Sequence, residues 1–255
     1  MLHVTNGHSV SLAETGLGGE VLVWRDTLDD VGELAPLLQE LGRHEEIVLW
    51  FEHDLYDQAQ LIEVLYHLSG REGVSLIGAG TYLGPMQPSQ LREWWPMRHA
   101  VTDAEYVLGA AAWTAFSSGD PRMVQTVLAG ETSVLPYLAG ALRRWLEELP
   151  SVDTGLSRTQ RQILEIAAQG GHTFGMMFGA NQRKEERIFM GDTQFLDWIR
   201  GLMECPVPLL ELTDDVYRIT PAGLEVLAGR ADHVRLNGTT AKYRWDEGVG
   251  TVVAE

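Results

Sequence analysis

The sequence predicts an open α/β fold with a Rossmann-like, mostly parallel sheet, a helical middle segment and a C-terminal winged-helix-like domain. Three observations predict it. Over residues 1–85 short apolar runs alternate with helical patterns, as strands and crossover helices of a doubly wound sheet do. Residues 86–150 turn helical. Residues 156–232 read as three helices, a hairpin and a short last helix, and a tail of 233–255 is left unplaced.

Element by element, Leu2–Thr5 is strand-like and Asn6-Gly7 breaks it. Val10–Ala13 suits a short helix, Gly16–Gly19 a turn and Glu20–Trp24 a second strand. Leu34, Leu37, Leu38 and Leu41 have helical spacing. Ile47–Phe51 is apolar throughout, as a strand covered on both faces must be. Leu61, Ile62, Leu65 and Leu68 mark the next helix, and Val74–Ile77 a further strand.

In the middle segment, Thr102-Asp-Ala-Glu105 is a capping box. Asp120-Pro121 reads as an N-cap followed by proline at the first helical position. A third helix is expected over 133–149, bent at Pro136, with Pro150–Thr154 as a linker. Beyond it, Ser157-Arg-Thr-Gln160 is a second capping box, Thr173–Glu186 a weaker helix, and Phe195–Met203 a helix with Asp192 as expected N-cap. Pro208–Leu212 and Val216–Ile219 flank a hairpin turn.

A chain of 255 residues with 45% hydrophobic and 22% charged side chains is long and apolar enough for two packed domains, which excludes a disordered class. No apolar run approaches the ~20 residues of a membrane span. The N-terminus enters a strand-like segment without a basic leader, so a cytoplasmic protein is expected. The one cysteine, Cys205, excludes an internal disulfide and a cysteine zinc cluster. Net charge is -17, and residues 1–156 carry 22 acidic against 8 basic side chains. That half repels nucleic acid phosphates.

The chain has no phosphate-binding loop, nucleophile elbow or zinc-protease motif, so position must point to chemistry. Ligands of open α/β sheets bind at the carboxyl ends of the strands, and here those ends are polar. The first is followed by Asn6, Gly7, His8 and Ser9, the second by Arg25 and Asp26, the third by Glu52, His53, Asp54, Asp57 and Gln58, and the fourth by Thr81 and Tyr82. His8, Asp26, Glu52, His53 and Asp54 are candidate catalytic groups. Asn6, Gly7, Ser9, Arg25, Asp57 and Gln58 are candidate ligand contacts, with the Asn6–Ser9 loop and Arg25 suited to an anion. Asp54 and Asp57 are candidate ligands of a divalent cation. A capping role for Asp54 or Asp57, with Glu52 facing water, is the structural alternative. Trp24 and Trp50 read as core or as platforms for a base.

A winged helix would read DNA with its third helix, here Asp192-Thr193-Gln194 with Asp197 and Arg200, and its wing tip is Asp214-Asp215. Arg183, Lys184 and Arg187 are offset by Glu185 and Glu186. The charge opposes DNA and leaves domain packing or homodimerisation through this domain.

The stretches Leu2-His-Val-Thr-Asn-Gly7, Gly19-Glu-Val-Leu-Val-Trp-Arg-Asp26, Leu49-Trp-Phe-Glu-His-Asp-Leu-Tyr-Asp-Gln58 and Tyr82-Leu-Gly-Pro85 resemble an uncharacterised bacterial family, a domain of unknown function. Gly155–Gln160 and Gly191–Phe195 resemble the small helical domain commonly attached to it. The resemblance implies no particular activity. Relatives have Asp where this chain has His8, and a longer segment after Trp-Arg-Asp. If that segment shapes the site, the activity is altered or lost here. The expectation is an enzyme, or a former enzyme, that binds a small polar ligand, phosphorylated or nucleotide-like, with metal-assisted hydrolysis or group transfer as the reaction class. A ligand-responsive DNA-binding regulator and a non-catalytic interaction module are the alternatives.

Overall fold

The structure, a computed structural model, describes residues 1–24 and 34–255. The chain divides into two compact units, Met1–Leu142 and Arg143–Glu255.

The first unit is built on a five-stranded sheet. Its strands are β1 (Leu2–Thr5), β2 (Glu20–Val23), β3 (Ile47–Phe51), β4 (Val74–Gly78) and β5 (His99–Ala100), in the order β2-β1-β3-β4-β5. The first four run parallel and β5 is antiparallel to β4. Leu2 pairs with Glu20 on one side and Ile47 on the other. The chain therefore steps from β1 to one edge and returns to β1's other side, which makes the β1/β3 gap the point where the winding reverses.

Every residue of β3 is buried. Val48 and Trp50 pack with Leu12, Ile77, Leu83 and Leu91 on one face of the sheet. Alternation sends Ile47, Leu49 and Phe51 to the other face. The turn before β2 requires glycine. Gly19 has φ +88°, and a Cβ there would lie 2.8 Å from the Met1 carbonyl oxygen.

The helices of this unit are α1 (Leu34–Arg43), α2 (Leu55–His67), α3 (Pro88–Trp94), α4 (Asp103–Phe116), α5 (Pro121–Leu128) and α6 (Leu138–Leu146), the last running past residue 142. The α4 capping box forms, with Thr102 accepting from the Glu105 amide. Gly109 lets α4 close on α2, since a Cβ there would meet Leu65 at 2.7 Å. Two expectations need correction. The short helix expected over Val10–Ala13 is a four-residue 3₁₀ helix at Leu12–Thr15, with Ser11 at its N-cap. Pro136 precedes α6 instead of bending it, because proline's missing amide and ring are tolerated outside a helix and not within one.

In the second unit, α7 (Arg158–Ala167), α8 (Phe174–Gln182) and α9 (Asp192–Met203) are followed by the antiparallel pair β6 (Leu210–Thr213) and β7 (Val216–Ile219), then α10 (Pro221–Leu227), α11 (His233–Leu236) and a second antiparallel pair, β8 (Tyr243–Asp246) and β9 (Thr251–Ala254). Phe195, Ile199 and Leu202 of α9 are fully buried with Ile163, Leu164, Leu209 and Val226. Asp214 and Asp215 both take positive φ, 52° and 59°, the twist a two-residue hairpin needs. Asp192 is the first helical residue, with Gly191 at the N-cap, so it does not cap α9 as expected. Nor is 150–154 an open linker. Ser151 is buried and bridges Trp245, and its carbonyl accepts from Arg244 at 3.0 Å. That contact gives the C-terminal residues 233–255 a place in the unit.

Candidate functional site

The pairing of Thr5 with Trp50 brings the ends of β1 and β3 out side by side. Asn6 follows one and Glu52 the other, and α2 starts directly behind Glu52. Asp54 is the α2 N-cap, its Oδ1 accepting from the Tyr56 and Asp57 amides at 2.9 and 3.1 Å. One turn into the helix, Asp57 ties both strands together. Its Oδ1 accepts from the Glu52 amide at 2.6 Å and its Oδ2 from Asn6 Nδ2 at 2.5 Å. Gln58 Nε2 donates to the Glu52 carbonyl at 2.6 Å, and Gln60 Nε2 donates to Asn6 Oδ1 at 3.2 Å. Glu52 Oε1 accepts from the amides of Leu83 and Gly84 at 2.6 and 3.3 Å, which binds the loop after β4 to the end of β3.

Glu52, Asp54 and Asp57 are all buried, and each offers a carboxylate oxygen within 4.8 Å of the others. Burial raises all three carboxyl pKa values by penalising the charged form. Glu52 moves to about 7, through burial first and the neighbouring Asp57 second. Asp57 moves to about 6 through burial, held back by the hydrogen bonds from the Glu52 amide and Asn6. Asp54 rises well above the usual carboxylate range, again through burial and then Asp57. Glu52 and Asp57 therefore hold protons up towards neutral pH. An oxygen-only donor set of this kind fits a hard divalent cation such as Mg²⁺, Mn²⁺ or Ca²⁺.

His53 is half-buried. Its ring lies 4.8 Å from that of Tyr82 and 6.0 Å from that of Tyr137. Gly80 makes room for the second tyrosine, since a Cβ there would stand 2.6 Å from Tyr137 Oη.

The expected site residues fall into three groups. Asn6, Glu52, Asp54, Asp57 and Gln58 converge, and Asp54 caps α2 as the structural alternative proposed, but Glu52 is buried and does not face water. Gly7 is partly buried with φ +57°, while His8 and Ser9 are exposed. The Asn6–Ser9 loop is followed by the 3₁₀ helix only at Leu12, and the Asn6 side chain donates to Asp57 and accepts from Gln60. Arg25 and Asp26 lie outside the described residues. Trp24 and Trp50 are core residues, 2% and 0% exposed. Trp50 donates to His3 Nδ1 at 3.0 Å and Trp24 to Glu63 at 2.8 Å. Sequence reasoning missed Gln60, Leu83, Gly84 and Tyr137. Gln60 carried a signal as a polar residue at helical spacing from Asp57, Leu83 and Gly84 lay in the resembling stretch Tyr82–Pro85 without a role attached, and Tyr137 carried none.

No protein-family model matches the chain, and no curated protein matches it. Among the described residues no helix is long and apolar enough to cross a membrane.

Proposed function

We propose that the first unit binds a divalent cation, and with it a small polar ligand of phosphorylated or nucleotide-like chemistry, at the carboxyl ends of β1 and β3, and that hydrolysis or group transfer is its reaction class. The observation that carries this reading is the burial of Glu52, Asp54 and Asp57 within 4.8 Å of one another where the sheet's winding reverses, the usual ligand position of a doubly wound fold. Three carboxyls at that spacing are mutually destabilising when charged, and a cation relieves this. Glu52, Asp54 and Asp57 would hold the ion, which would polarise a ligand oxygen or acidify bound water. His53, whose ring neighbours those of Tyr82 and Tyr137, would exchange a proton with the ligand.

The test is thermal unfolding of wild type and Asp54→Asn with Mg²⁺ or Mn²⁺, each with nucleotides and sugar phosphates, before and after chelator. Asparagine keeps the helix cap and removes one carboxylate. A ligand at 100 times its Kd stabilises by about 2.7 kcal/mol. A metal-dependent gain in wild type that Asp54→Asn lacks supports the proposal. No gain in either, or an equal gain in both, rejects it.

The second unit reads best as winged-helix-like, from the order α7-α8-α9, the β6–β7 hairpin and α10. Asp214 and Asp215 at the hairpin tip and exposed Asp192, Asp197 and Arg200 on α9 favour protein packing, including homodimerisation, over DNA.

A further inference from the structure

A cleft of about 590 Å³ opens in the second unit, and none of the strand-end site residues lines it. Its floor is one face of α7, which presents Arg158, Arg161 and Glu165 at helical spacing. Glu147, Lys184 and Glu247 stand around it. The side chains pair across the cleft. Arg158 binds Glu147 at 2.7 Å and, beyond the lining, Glu186 at 2.7 Å; Lys184 binds Glu165 at 2.8 Å, and Arg161 binds Glu247. Three cations and three carboxylates thus line a space of the size that small-molecule sites occupy.

Arg158 and Arg161 lie in the first and second turns of α7, where the helix dipole disfavours positive charge. Helix stability does not explain them. Arg158 is held in a network with Glu147, Glu186 and the buried Glu185, but the partly exposed Arg161–Glu247 and Lys184–Glu165 pairs contribute little to stability.

The pairing selects the ligand. A simple anion entering here must break a pair and strand a carboxylate among two others, and a simple cation does the same to an arginine or lysine. A dipolar molecule avoids both. Its carboxylate meets one member of a pair and its ammonium the other, so one ion pair becomes two and no charge is left over. We infer that this cleft binds a small zwitterion of the amino acid or dipeptide class, with the carboxylate at Arg161 or Lys184 and the ammonium at Glu247 or Glu165.

The experiment is isothermal titration of the full chain with alanyl-alanine, its N-acetyl derivative and its C-terminal amide. The dipeptide is expected to bind with a Kd at or below about 1 mM, and each blocked form, having lost one charge, at least about tenfold more weakly. Arg161→Gln and Glu247→Gln should each weaken the dipeptide about tenfold with the thermal midpoint unchanged. Asp54→Asn should leave the affinity unchanged, which separates this site from the strand-end reading. No heat with the dipeptide at about 10 mM, equal binding of a blocked form, or full affinity in both cleft variants overturns the proposal.

Discussion

Replacing Glu52 with glutamine should stabilise the first unit at alkaline pH and leave it nearly unchanged in acid. Glutamine keeps a carbonyl oxygen for the Leu83 and Gly84 amides and cannot ionise, so it imitates protonated Glu52. A carboxyl whose pKa is raised on folding holds its proton more tightly in the folded state. Its contribution is fully present below the unfolded pKa of 4.5 and is lost as pH climbs to about 7. At about 1.36 kcal/mol per pH unit, that interval sets the loss at no more than about 3–4 kcal/mol. The assay is urea unfolding of wild type and Glu52→Gln between pH 4.5 and 8, followed by far-ultraviolet circular dichroism. Wild type should lose stability relative to the variant across this range, and the gap should close in acid. A saturating divalent cation at pH 8 should narrow the gap from the wild-type side. If the two proteins run parallel in pH, or if the variant is weaker at pH 8, burial does not raise the Glu52 carboxyl as described above.

Other consequences concern stability and partners. Asp57→Ala leaves the buried Glu52 amide and the Asn6 side chain without their acceptor, and denaturant unfolding should register a loss of about 2–3 kcal/mol or more. Arg144 is buried against Glu185 and Glu148, so Arg144→Ala should cost the second unit about 3–5 kcal/mol, read from its thermal transition. Gly223→Ala would put a Cβ 2.4 Å from the Leu209 carbonyl oxygen, and the backbone shift it forces should lower the same transition by several degrees. The acidic surface predicts no retention of the chain on DNA–agarose at physiological salt, and salt-resistant retention would reject the reading of the second unit as a packing module.

Pattern and chemistry along the chain were enough for the parallel strands and most helices. An all-apolar Ile47–Phe51 between helical repeats can hardly be anything but a covered strand, and the Thr102 and Ser157 capping boxes mark their helices with local hydrogen bonds. The same reasoning placed polar residues at the strand ends, because that is where an α/β sheet presents side chains to a ligand. What lay beyond local reading was every feature decided across distance. The two-residue β5 carries no pattern of its own and exists by pairing with β4. Helix α6 begins after Pro136, not through it. The fate of Glu52 depended on two backbone amides about thirty residues away, at Leu83 and Gly84. Asp57's grip on Asn6 spans 51 residues. The residues that could build the strand-end cluster were legible in the chain itself. Whether its carboxyls faced water or one another depended on the order of the strands, since only the packed sheet removes the water that would otherwise keep them apart.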